Sequence, residues 1–219
     1  MGHLYEKYVW EVPVRATHWV NMLAIVTLSV TGIFIGSPKT VALEASEYVM
    51  GWIRFVHFVA GYTFVISVLS RIYWSFVTKN PYASWREFFP ILTSEGRQGM
   101  LETFKYYTFL SNKAPHTVGH NALAGTAYSV VFALYLTMAL TGFALYSERA
   151  PNGLLHKGLG WMFMLFSNQG MRLTHHCVMW LLIGFAIHHI YSAWLMDVKE
   201  KGGVMSSIFG GYKAVKTKD

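Results

Sequence analysis

Residues 173–196, LTHHCVMWLLIGFAIHHIYSAWLM, contain no Asp, Glu, Lys or Arg, yet they include four histidines. A crossing of the hydrocarbon layer needs about 20 mostly apolar residues, because only a helix of that length satisfies its own backbone hydrogen bonds there. The run is long enough. Ionisable residues at that depth are costly unless they have a partner or a function, so the placement of the histidines carries information. At about 100° of turn per residue, two positions 14 apart lie within about 40° of a whole number of turns and about 21 Å apart along the axis, and only His175 and His189 have that separation. The pairings of His175 with His188, of His176 with His188 and of His176 with His189 point about 120 to 140° apart. His175 and His189 can therefore serve two cofactors stacked on one face.

Three further segments are long and apolar enough to cross: 16–38, 55–78 (interrupted only by Arg71) and 122–146. With 173–196 they predict an all-α integral membrane four-helix bundle, a single membrane domain over 1–219 with a tail at 197–219. Four crossings put both termini on one side. Twelve Lys and Arg lie on the side of the termini and five on the other (Lys39, Arg54, Arg149, Lys157 and Arg172), which places both termini in the cytoplasm. Weaker apolar patterns near residues 105 and 163 are too short to span and read as short interfacial helices. No internal repeat, removable signal peptide or soluble domain is apparent.

Composition agrees. The chain is 53% hydrophobic and 16% aromatic, with only 13% charged residues, too apolar for an ordinary soluble domain. Its net charge of +7 is not organised as a nucleic-acid surface, because the cations fall between apolar runs. A single cysteine, Cys177, excludes an internal disulfide, a thiolate iron–sulfur cluster and a covalently attached haem.

A haem iron held by imidazoles from two helices suits this pattern, since the macrocycle fills space between apolar helices. His18 begins the first span on the cytoplasmic side, whereas His57 and His175 begin spans two and four on the outer side. That pairs His57 with His175 at an outer haem b and His18 with His189 at an inner one. Arg15-Ala-Thr-His18, Arg54-Phe-Val-His57 and Arg172-Leu-Thr-His175 share one spacing, which sets an arginine one turn nearer the surface on the ligand's face. There it can bond an anionic haem propionate, or simply flank a span. Arg71 lies 14 residues after His57, either at a propionate of the inner haem or snorkelling to the interface. His176 and His188 read as packing or hydrogen-bonding residues; His3, His116, His120 and His156 lie outside the spans. Gly32, Gly36, Gly61, Gly142 and Gly184 read as helix-packing positions.

The stretches YVWEVPVRATHWVNMLAIVTLSVTGIFIGSP, IRFVHFVAGYTFVISVLSRIYW, VGHNALAG, LTGFALYSE and THHCVMWLLIGFAIHHIY resemble the bacterial cytochrome b561-like family, and within it the b-type cytochrome subunit of membrane-bound nickel–iron hydrogenases. The resemblance covers all four spans and puts the family's haem ligands at His18, His57, His175 and His189. It implies a subunit of the bacterial inner membrane without hydrogenase chemistry of its own. The iron–sulfur small subunit of the hydrogenase, itself paired with the large subunit, would feed the outer haem, and the inner haem would pass electrons to quinone near His18 and His189. His188 departs from the family pattern and adds a histidine beside His189. The cytochrome b subunit of a formate dehydrogenase, or of another periplasmic oxidoreductase, is the alternative within the fold. A proton-coupled or metal-ion transporter would call for carboxylates near the histidines, and no Asp or Glu lies in the four spans. A passive anchor would explain the spans but not the matched histidine depths.

Overall fold

The computed structural model describes residues 4–37, 48–111 and 122–216. Pro38, Lys39, His3, His116, His120 and the first half of VGHNALAG lie outside them. The described chain runs β1 (Leu4–Tyr8), α1 (Val12–Gly36), α2 (Val49–Val77), α3 (Trp85–Phe88), α4 (Ser94–Tyr107), α5 (Ala122–Ser147), α6 (Leu154–Leu159), α7 (Met162–Leu165), α8 (Asn168–Glu200), α9 (Val204–Gly210) and β2 (Tyr212–Lys216). Four helices, α1, α2, α5 and α8, are long and apolar enough to cross a membrane. They are the four expected spans. Three start four to six residues earlier than expected, with Arg15, Arg54 and Arg172 inside the helix rather than ahead of it. The reason is that hydropathy reports only the hydrocarbon layer, while backbone hydrogen bonding continues into the headgroup region.

Local sequence explains the ends. Pro13 occupies the first turn of α1, where its missing N–H costs nothing. Ser167 caps α8 by accepting from the Gly170 N–H at 3.1 Å, and Thr93 caps α4 by accepting from the Gly96 N–H at 3.0 Å. Short helices fall where the weaker apolar patterns lie, α4 around residue 105 and α6 and α7 around residue 163. Large apolar side chains such as Leu23, Ile66, Leu69 and Ile187 are exposed along the spans. In water such patches would drive association; against lipid they are the solvated face.

Two compact units are built from these elements. One contains the described parts of Met1–His18, Leu69–Phe132 and Ile187–Asp219; the other comprises Trp19–Val68 and Ala133–Ala186.

In the first unit β1 and β2 pair antiparallel, from Leu4 opposite Lys216 to Tyr8 opposite Tyr212. This two-stranded sheet is an addition to the all-helical expectation. It brings the N-terminal and C-terminal segments together, which four crossings permit because they leave both ends on one side. Trp10 donates to the Ser207 hydroxyl at 3.1 Å, Lys7 to the Tyr82 hydroxyl at 2.7 Å and the Asn80 amide to the Val9 carbonyl at 2.9 Å. The Glu11 carboxylate accepts from Trp74 at 2.8 Å and from Thr78 at 2.6 Å. Gly211 is obligatory: its φ is +89°, and a Cβ there would stand 2.6 Å from a Tyr8 ring carbon.

In the second unit, edge-to-face ring pairs join α2 to α5: Phe58 with Tyr146 at 4.4 Å, Tyr62 with Phe143 at 5.0 Å and Phe64 with Tyr135 at 4.9 Å. Ala144 of α5, Met162 of α7 and Met171 of α8 form a buried cluster.

Candidate functional site

Each unit holds one pair of the expected histidines. In the first unit His18 of α1 and His189 of α8 face each other with ring centroids 6.2 Å apart and planes tilted by 54°. A metal-bound imidazole nitrogen sits about 2.0–2.1 Å from the ion, so two imidazoles across one ion hold their centroids roughly 6 to 6.5 Å apart. The spacing fits. Tyr128 of α5 lies against His189, its hydroxyl 3.4 Å from Nδ1. Arg15 is bonded to the Phe209 carbonyl through one terminal nitrogen, while its Nε is buried without a hydrogen-bond partner. That buried N–H can receive an anion. Arg71 is buried and donates to the Ala83 carbonyl at 3.2 Å, with the Glu11 carboxylate near enough to act on it electrostatically.

In the second unit His57 of α2 and His175 of α8 lie within electrostatic range of each other. The Nδ1 of His57 is 2.8 Å from the Thr31 hydroxyl on α1, and the Nδ1 of His175 is 2.8 Å from the Thr141 hydroxyl on α5. A glycine follows each threonine. A Cβ on Gly142 would stand 3.1 Å from Cε1 of His175, and one on Gly32 would stand 3.5 Å from Cε1 of His57 and 3.6 Å from the Met179 sulfur. Gly32 and Gly142 thus admit a histidine ring, where helix–helix packing was expected; Gly36 does the same for His176 at 3.5 Å. Arg172 donates to the Asn168 side chain at 2.7 Å, and Arg54 is exposed one turn before His57.

Burial separates the histidines of α8. His18, His57, His175 and His189 are half-buried, whereas His176 and His188 are exposed. His176 meets Trp180 edge-on, and His188 lies 3.3 Å from the Ser192 hydroxyl. Outside the spans, His156 bonds the Ser147 hydroxyl at 3.2 Å.

The donor set suits a haem. Each unit holds two imidazoles from two helices, and among the described residues no group of three or more His, Cys, Asp or Glu could form a closed ion site. Sequence reasoning missed Thr31, Thr141 and Tyr128. The first two carry a legible signal, because α1 and α5 share Thr-x-x-x-Thr-Gly at Thr27–Gly32 and Thr137–Gly142, a short repeat the sequence reading passed over.

Comparison with known proteins agrees with this architecture. The chain is similar to proteins named probable Ni/Fe-hydrogenase B-type cytochrome subunit. It is 44% identical to that of Cupriavidus necator over 95% of this chain and 87% of the relative. It is 41% identical to that of Bradyrhizobium diazoefficiens over 93% and 84%. The Ni/Fe-hydrogenase 1 counterpart of Escherichia coli K12 is 36% identical over 95% and 91%. The family model for prokaryotic cytochrome b561 matches residues 9–211. With four spans and histidine pairs drawn from different helices, a match of that extent makes the chain a member of the prokaryotic cytochrome b561 family, a multi-pass membrane cytochrome b.

Proposed function

We propose that this chain carries electrons from a periplasmic nickel–iron hydrogenase across the bacterial cytoplasmic membrane to quinone. It would do so through two haems b, one held by His57 and His175 on the outer side and one by His18 and His189 on the cytoplasmic side. The observation that carries this reading is the sorting of the histidines: one half-buried pair in each unit, each drawn from two spans, with the two spare histidines of α8 exposed. The relatives' names supply the partner, a Ni/Fe hydrogenase; its iron–sulfur small subunit, paired with the large subunit, would dock on the outer side.

Bound haem b supplies a one-electron ferric/ferrous couple. The chain's residues provide the rest. Neutral imidazoles from different spans fix the orientation of each macrocycle, and the apolar helices exclude water and so help set its potential. Arg54 and Arg172 flank the outer pair. Arg15, with its buried Nε, and Arg71 flank the inner pair; in this reading all four would bond propionates. Quinone would be reduced near His18 and His189. The chain works as one membrane domain, with both termini in the cytoplasm.

The test is to purify the complex from native membranes, measure haem b per chain from reduced-minus-oxidised spectra and identify the copurifying subunits. Two haems b with a hydrogenase are expected. One haem, none, or a copurifying molybdenum enzyme overturns the assignment.

A further inference from the structure

We infer that Thr31 and Thr141 are positioning residues that fix the ring tautomer of His57 and His175, presenting Nε2 of both as the metal-binding nitrogen of one haem. The inference rests on the haem assignment above. A threonine hydroxyl has one proton to donate and two lone pairs that accept. Thr31 donates to the Thr27 carbonyl at 2.6 Å, and Thr141 to the Thr137 carbonyl at 2.7 Å, each one turn back in its own helix. With its proton so committed, each hydroxyl can only accept from the histidine nitrogen 2.8 Å away. Nδ1 of each ring must then carry the hydrogen, and Nε2 carries the lone pair. The carbonyl of Leu28, 3.3 Å from the Thr31 hydroxyl, and that of Met138, 3.3 Å from Thr141, add a second acceptor beside each threonine.

The device occurs twice with the same parts. In both cases threonine and glycine are consecutive: the glycine admits the ring and the threonine orients it. At the other pair, His189 has a tyrosine hydroxyl at 3.4 Å instead. An acceptor at Nδ1–H raises imidazole basicity, which favours ferric over ferrous iron and lowers the potential of that haem.

The experiment is a redox titration of haem absorbance in the purified full-length cytochrome, comparing wild type with Thr31→Val, Thr141→Val, Thr31→Ser and Thr141→Ser. Either valine variant should raise the midpoint potential of one haem, the same haem in both, and leave the other unmoved. Both serine variants should titrate as wild type. A tenfold loss of ferric relative to ferrous ligation reads as about 59 mV for one electron, and haem retention against an apoprotein acceptor should fall by about 10- to 100-fold. Unmoved potentials in the valine variants, a shift of both haems, or serine variants that behave like valine overturn the inference. A second measurement reads the hydrogen bond itself. Pulsed electron paramagnetic resonance of the oxidised protein in heavy water should show the coupling of the exchangeable proton on the remote imidazole nitrogens of one haem changed in both valine variants and unchanged in the serine variants; a wild-type coupling in the valine variants overturns the inference as well. Wild type lacking two haems defeats the proposed function, whereas two haems with unmoved potentials defeat this inference alone.

Discussion

His18, His57, His175 and His189 are side chains of one type, yet they divide into two pairs of different character. One pair is backed by two threonines, the other by a tyrosine on one member. Removing one ligand should therefore empty one site without emptying the other. His57→Ala should abolish one haem signal and leave the second partly occupied, and His189→Ala should do the converse. Optical spectra in which either variant keeps both haems would defeat the ligand assignment. All four positions were legible in the sequence, because a helix repeats every 3.6 residues and histidine inside a span is a rare expense. Thr31 and Thr141 carried only a faint signal, the shared Thr-x-x-x-Thr-Gly, and it was passed over. A threonine in a membrane helix ordinarily bonds its own preceding turn, as Thr63 and Thr137 do, and only a ring arriving from another helix distinguishes the two.

At the scale of elements, the four spans were legible to within a few residues, since hydropathy reports burial in lipid directly. The sheet was not. Two five-residue strands at opposite ends of the chain leave no local periodicity that links them. Its integrity depends on Gly211, where an alanine would meet both a left-handed backbone and the Tyr8 ring. Gly211→Ala should cost about 1–3 kcal/mol and speed hydrogen exchange in β1 and β2, while leaving exchange in the spans unchanged; wild-type exchange in the strands would refute it. Between α2 and α5, burial pushes the Glu87 carboxyl up from its ordinary 4.5 to about 7. A carboxyl raised in the folded state binds its proton more tightly there than in the unfolded chain. Its contribution to stability is fully present below about 4.5 and is lost as pH rises through about 7. Thermal unfolding of the detergent-solubilised protein should show that decline, and Glu87→Gln should flatten it. An equal slope in both proteins would exclude Glu87 as its source.

For the whole molecule, the asymmetry of Lys and Arg predicts an orientation with both termini in the cytoplasm. A fluorescent protein fused after residue 216 should fold and glow in the cytoplasm, and alkaline phosphatase fused there should be inactive. Phosphatase placed in the α5–α8 connection should be active. The reverse pattern would invert the side assigned to each histidine pair. The pairing of β1 with β2 also has a consequence in time. The ribosome makes β1 before any span and β2 after all four, so β1 must wait unpaired at the membrane surface through the whole of translocon insertion. The unit that holds His18 and His189 can close only after β2 has been made, and a chain cut short before Tyr212 would keep its four membrane-length helices but lack the strand that closes that unit.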